Sequence, residues 1–123
     1  MQENRHLAIR VMLLPKDTNA LGTIFGGVIL SQIDLAAAVE ARRHCRKRLV
    51  TVAMKEVVFR EPVYVGDIVS FYTRLEGIGN TSLAVHVDVE AQRVSDPEVT
   101  ISVTEAHVTY VAVNEDGEKT SVR

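Results

Sequence analysis

Between Val28 and His44 the chain runs without a glycine or a proline, and Ala36, Ala37, Ala38 and Ala41 stand among Ile29, Leu30, Ile33, Leu35 and Val39. Alanine is the strongest helix former, so this stretch predicts one long helix. Its apolar residues fall on nearly every side, which predicts a helix buried over most of its circumference. The basic run Arg42-Arg43-His44-Cys45-Arg46-Lys47-Arg48 closes it and suits the negative end of the helix dipole. A lone helix of this kind needs apolar cover from the rest of the chain.

The rest reads as strands. Residues 7–14 form a first strand ended by Pro15, and residues 15–27, with Gly22, Gly26 and Gly27, form a loop. After the helix, residues 49–60, 68–76, 82–94 and 99–113 read as four more strands. Val63 to Asp67 is a connection and Gly77 to Thr81 a turn. The alternation is cleanest in 82–94, where Leu83, Val85, Val87, Val89 and Ala91 point one way and Ala84, His86, Asp88, Glu90 and Gln92 the other. That is the pattern of a half-buried antiparallel strand. In the last strand the apolar parity switches between Val103 and Ala106, which predicts a bulge near Glu105. One helix segregated from hairpin-linked strands predicts an α+β fold, an antiparallel sheet curved around the helix. The sheet edges this leaves make pairing with a second copy a natural solution.

Composition narrows the function. At 123 residues, with no repeat or linker, a single domain over residues 1–123 is expected. The net charge of −2 argues against wholesale nucleic-acid binding, which needs a basic surplus. The single cysteine, Cys45, excludes an internal disulfide framework and a cysteine-based zinc finger. Residues 1–6 carry no apolar signal-peptide core, and no apolar run approaches the ~18 residues of a membrane span. The expectation is a cytoplasmic protein with neither nucleic-acid nor membrane partners. Aromatic residues are only 5% and tryptophan is absent, so the core must be built from Val, Ile, Leu and Ala.

Two places stand out for chemistry. Asp34 sits in the middle of the apolar helix, where an unpaired buried carboxylate would cost several kcal/mol. Either Ser31, Asp34 and Arg42 mark a narrow solvent stripe, or Asp34 is a general base or nucleophile in a partly desolvated cleft. The loop holding Asp17, Thr18, Asn19 and Gly22 runs into Gly26-Gly27 at the helix start. It is either a tight turn or a place where unpaired first-turn N–H groups meet an anion or oxyanion. The histidines His6, His44, His86 and His107 show no metal-ligand spacing. Cys45 reads as a bystander thiol, and the basic run as a solvated helix end rather than an anion contact.

The run Pro15-x-Asp17-Thr18-Asn19-x-x-Gly22-x-Ile24-Phe25-Gly26-Gly27-x-x-Leu30-Ser31-Gln32-Ile33-Asp34 resembles the signature of hotdog-fold acyl-CoA thioesterases. The similarity is to the YciA-like branch, related to the cytosolic brain-type acyl-CoA hydrolases. It continues through Val50-Thr51-Val52-Ala53, Phe59, Pro62-Val63, Val65-Gly66-Asp67, Thr81-Ser82, Ala106 and Thr109 to Val113. The resemblance implies a five- to six-stranded antiparallel sheet wrapped around a central helix of about residues 28–44. It implies dimers joined edge to edge, assembled as trimers of dimers. It further implies hydrolysis of an acyl-CoA to free CoA and a carboxylic acid, with no metal and no cofactor.

By that analogy Asn19 and Asp34 are the catalytic pair, contributed by different subunits. Asp34 is general base or nucleophile, and Asn19 positions the water or the carbonyl. Gly26 and Gly27 bind the thioester oxygen, and Thr51, Val52 and Phe59 line the pantetheine and acyl path. In the family a basic residue often directly precedes the proline at position 62. Here Glu61 stands there and Arg60 comes one residue earlier, which on a strand points to the other face. Lys55 stands where several members are acidic. The resemblance leaves Arg60 as the candidate for the CoA phosphates. The alternative is a non-catalytic hotdog module that binds acyl-CoA as a sensor. A hotdog dehydratase, which uses a catalytic histidine, fits less well because residues 7–43 hold none.

Overall fold

A computed structural model describes residues 4–55 and 57–123. These form five strands and one long helix: β1 (His6–Met12), α1 (Gly26–Arg42), β2 (Arg48–Lys55), β3 (Ile68–Ile78), β4 (Ser82–Gln92) and β5 (Thr100–Val113), with a single 3-10 turn at Pro15–Asp17. The strands make one antiparallel sheet in the order β1-β3-β4-β5-β2, which leaves β1 and β2 as its edges. The α+β expectation with a five-stranded sheet is met. Among the described residues no helix is long and apolar enough to cross a membrane. The reading of the N-terminal start falls partly on residues 1–3, which lie outside the described residues, as does position 56 in the expected second strand.

The helix lies across one face of the sheet. Ile29, Ile33, Ala36, Ala37 and Ala41 are buried against the inward row Val69 and Phe71 on β3, Leu83, Val85, Val87 and Val89 on β4, and Ala106 and Val108 on β5. Small helix residues against branched strand residues allow close packing, with stiff valine rotamers fitting the pleated surface. The alternation expected for β4 holds: all five of its inward residues are buried.

Four expectations need correction. The helix begins at Gly26, two residues earlier than expected, because the glycines lie inside its first turn rather than before it; it ends at Arg42, and Arg43 and His44 form a terminal turn. It is not buried all round. Leu35 and Val39 are 55% and 49% exposed, since a single curved sheet covers only one side. The second strand stops at Lys55 rather than running to residue 60. Residues 57–60 pass the irregular part of β5 and are tied to it by the Arg60 N–H donating to the Val103 carbonyl at 2.9 Å and the Thr104 hydroxyl donating to the Val58 carbonyl at 2.7 Å. The bulge in β5 falls at Val103, between the Val89–Thr104 and Glu90–Ser102 pairs, rather than near Glu105. Thr104 keeps the inward parity despite being polar, because its hydroxyl is satisfied by that Val58 carbonyl, so the parity breaks one residue further back.

The connection into β3 is fixed by Gly66-Asp67. Gly66 adopts φ +89°, and a Cβ there would lie 2.8 Å from Val94 Cγ2, so both conformation and space require glycine. Asp67 is buried. Its carboxylate accepts from the Tyr64 N–H at 2.9 Å and pairs with Arg93, while its backbone carbonyl accepts from Leu13.

The buried carboxylate of the helix is Glu40, only 1% exposed, a residue the sequence did not single out. One of its oxygens accepts from the Thr73 hydroxyl on β3 at 2.9 Å. The other meets His44 Nε2 at 2.6 Å, one helical turn on. Glu40 thereby fastens the end of the helix to the sheet. Thr73→Val strips one oxygen of its donor while keeping the shape. It should lower the unfolding free energy by about 1–3 kcal/mol in urea denaturation at fixed protein concentration. An unchanged midpoint would show that Glu40 is held by other means.

Candidate active site

The loop from Pro15 to Phe25 is locked by its own backbone. Phe25 N–H donates to the Asp17 carbonyl at 2.8 Å, Asn19 N–H to the Thr23 carbonyl at 2.7 Å, and Ile24 N–H to the Val63 carbonyl at 2.8 Å. Asp17 accepts from the Leu14 N–H at 3.0 Å, and that bond, followed by Lys16, holds its carboxyl below the usual carboxylate range. Asn19 is the hub. Its Oδ1 accepts from the N–H groups of Leu21 and Thr23 at 2.8 and 3.2 Å, and its Nδ2 donates to Thr23 Oγ1 at 2.9 Å. This is the self-bonding that suits Asn to turns. None of these bonds reaches Asp34.

The chain passes from this loop into the helix at Gly26. Phe25 occupies the N-cap position in an extended conformation, and no side chain caps the helix start. The first-turn N–H groups therefore point outward at the positive end of the helix dipole. Phe59 packs over this point: a Cβ on Gly26 would lie 3.6 Å from its ring. Phe59 lines a cleft of about 210 Å³ together with Thr23, Ile24, Gly26, Ile29 and Glu61. Thr51 and Val52 lie elsewhere, on the edge strand β2, and do not line this cleft.

Asp34 is half-buried on the ninth position of α1. Its Oδ1 accepts from the Thr51 hydroxyl at 2.9 Å and lies 2.9 Å from the Tyr110 hydroxyl, which is also 2.8 Å from the Asp34 backbone carbonyl. Burial, and after it the neighbouring Asp34 carboxylate, pushes the Tyr110 phenol well above its ordinary range, so it stays a proton donor. Both hydroxyls address one carboxylate oxygen. Oδ2 accepts no hydrogen bond among the described residues, which leaves it open to water or substrate. Asp34 is thus neither a bare solvent-stripe residue nor a fully buried charge. Tyr110 lies within the motif that resembles the family, yet no role attached to it from sequence; strand pairing with Thr51 is what brings it to Asp34.

Geometry separates the two halves. Gly26 and Asp34 are eight residues apart on one helix, roughly 12 Å along its axis, so they cannot both touch one reacting carbon. Arg60 donates to Glu105 Oε2 at 2.9 Å and faces the sheet's outer side, whereas Glu61 lines the cleft. The one-residue shift noted in the sequence therefore does send the two side chains to different places.

Residues 21–97 match the thioesterase superfamily. Over 113 residues the chain is 39% identical to the acyl-CoA thioester hydrolase YciA of Salmonella typhimurium, covering 90% of this chain and 85% of that protein. Among solved structures, a hexameric hotdog fold thioesterase of Campylobacter jejuni is 49% identical with a TM-score of 0.87, over 95% of this chain and 90% of that one. A hexameric thioesterase from Yersinia pestis reaches a TM-score of 0.89 at 36% identity, over 98% and 97% of the two chains. With its sheet order, its single helix and the motif from Pro15 to Asp34, the chain belongs to the hotdog-fold acyl-CoA thioester hydrolases, in the YciA-like branch.

Proposed function

We propose that this chain hydrolyses an acyl-CoA thioester to free CoA and a carboxylic acid, with Asp34 as the general base. The observation that carries the reading is the Asp34 carboxylate, tied at Oδ1 by Thr51 and Tyr110 and open at Oδ2. Oδ2 takes a proton from water as the water oxygen bonds to the thioester carbon. The oxyanion so formed accepts from the first-turn N–H groups at Gly26 and Gly27, in a site preorganised for it. The carbon–sulfur bond then breaks, and the proton passes from Asp34 to the departing sulfur. Asn19, held rigid by its own loop, orients the water or the carbonyl. Thr51, Val52 and Phe59 line the pantetheine and acyl path, and Arg60 is the basic residue offered to the CoA phosphates.

Asp34 and the start of its own helix lie roughly 12 Å apart along the axis, which supports an oxyanion site supplied by a second copy. Oligomerisation is then a condition of activity. The surface beside Asp34 supports this: Leu35 and Val39, one turn apart on the helix, are 55% and 49% exposed, and the edge strand β2 next to them carries Val50 and Val52 at 40% and 54%. Large apolar side chains left exposed in this way suit a contact between copies. The solved relatives named above are hexamers. We read this chain as a trimer of dimers, and the sequence 1–123 as one hotdog domain.

Asp34→Asn should lower kcat at least ~100-fold against a panel of acyl-CoAs, measured by release of free thiol, with assembly unchanged. Activity close to wild type would end the general-base reading, and absence of thiol release from the wild-type protein on any chain length would favour a binding module. Tyr110→Phe removes one donor to the charged carboxylate and should cost about tenfold in kcat with little change in KM. Leu35→Asp should dissociate the assembly, seen by light scattering, and abolish thiol release while each chain keeps its circular dichroism spectrum. A monomeric but active variant would disprove the shared site.

A further inference from the structure

The outer face of the sheet, opposite the helix, carries a cluster that hydrolysis does not use. His86 on β4 and His107 on β5 are directly paired across the strands, and their rings meet edge to face with centroids 5.0 Å apart. Glu76 on β3 joins them, because β3 is irregular between Leu75 and Gly77. Its Oε2 lies 2.7 Å from His107 Nδ1 and 3.7 Å from His86 Nδ1. The three ligand-type atoms lie within 4.8 Å of one another.

His86 is the telling residue. Its side chain is only 7% exposed, and its Nε2 lies 2.8 Å from Asp88 Oδ1. A carboxylate only accepts, so Nε2 carries a proton there, and the ring turns its Nδ1 toward Glu76. That Nδ1 is buried and has no hydrogen-bond partner. At 3.7 Å it is too far from the Glu76 oxygen for a hydrogen bond even when protonated. A buried nitrogen left in this state costs free energy unless something lies between it and the carboxylate. A cation satisfies both.

We propose that Glu76, His86 and His107 form a binding site for one zinc ion per chain, through Glu76 Oε2 and the Nδ1 atoms of the two histidines. Two imidazoles and a carboxylate form a familiar zinc donor set, with a fourth tetrahedral position left for water. At metal–ligand distances of about 2.0–2.2 Å the ligand atoms would sit roughly 3.4 Å apart, a small adjustment from the present spacing. Asp88 completes the arrangement by holding the far nitrogen of His86, as outer carboxylates do for metal-bound histidines. The ligands come from three adjacent strands, so the ion would clamp β3, β4 and β5 together on the face away from Asp34. Nothing in the linear spacing of the histidines signals this, since pairing across strands creates it.

The test uses the full chain, free of any affinity tag and treated with a chelator, titrated calorimetrically with zinc chloride and with magnesium chloride. Saturable binding of one zinc per chain is expected, and no binding of magnesium, which prefers oxygen ligands. His107→Ala and Glu76→Gln, both at partly exposed positions, should each weaken zinc binding at least tenfold while leaving the circular dichroism spectrum intact. Asp88→Asn should weaken it by ~10-fold. Absence of saturable zinc binding, or unchanged affinity in either His107→Ala or Glu76→Gln, overturns the proposal.

Discussion

The rest of the molecule depends on how closely its helix approaches its sheet. Ala36, Ala37 and Ala41 present almost no bulk, and the valines of β4 and β5 close around them. Only because the two layers sit this near can short hydroxyl side chains on the strands reach carboxylates on the helix. Thr51 reaches Asp34 and Thr73 reaches Glu40. The same close contact that forms the core therefore sets the position of the acid that the chemistry needs.

The two carboxylates show how one helix serves two ends. Glu40 is enclosed, with a donor on each oxygen, and acts as a fastener. Asp34 has both donors on one oxygen, and the other is open. Burial and hydrogen bonding divide the structural acid from the reactive one, although the two residue types are chemically alike. The opposite case is Asn19, whose amide oxygen accepts twice inside its loop while its Nδ2 spends one of its two N–H groups there. Such a loop is ordered before it meets any substrate or neighbouring copy.

Much of this was legible from residue order alone. The alternation in residues 82–94 announced the central strand and both of its faces, and the glycine-free alanine stretch announced the helix. The motif from Pro15 to Asp34 carried the family. What could not be read is what depends on three dimensions. Glu40 looks like an ordinary solvent-facing glutamate until Thr73 is placed beside it. Thr104 looks like a break in the apolar parity until the Val58 carbonyl accepts its hydroxyl, and that misplaced the bulge. The bare face of Leu35 and Val39 reads as covered in the sequence, because residue order gives the apolarity of a helix but not how far a sheet reaches around it. His86 and His107 stand far apart along the chain and meet only through register.

Strands β4 and β5 each carry two rows of side chains with different duties. On β4, Val85, Val87 and Val89 face the helix while His86, Asp88 and Glu90 face away; on β5, Val108 and Tyr110 face inward and His107 outward. A backbone layer separates the rows, so changes in one leave the other's contacts in place, and their free-energy effects should largely add. Two sets of traits can thus drift independently along the same stretch of gene. Recombination could not part them, yet selection can tune each alone, one residue in two.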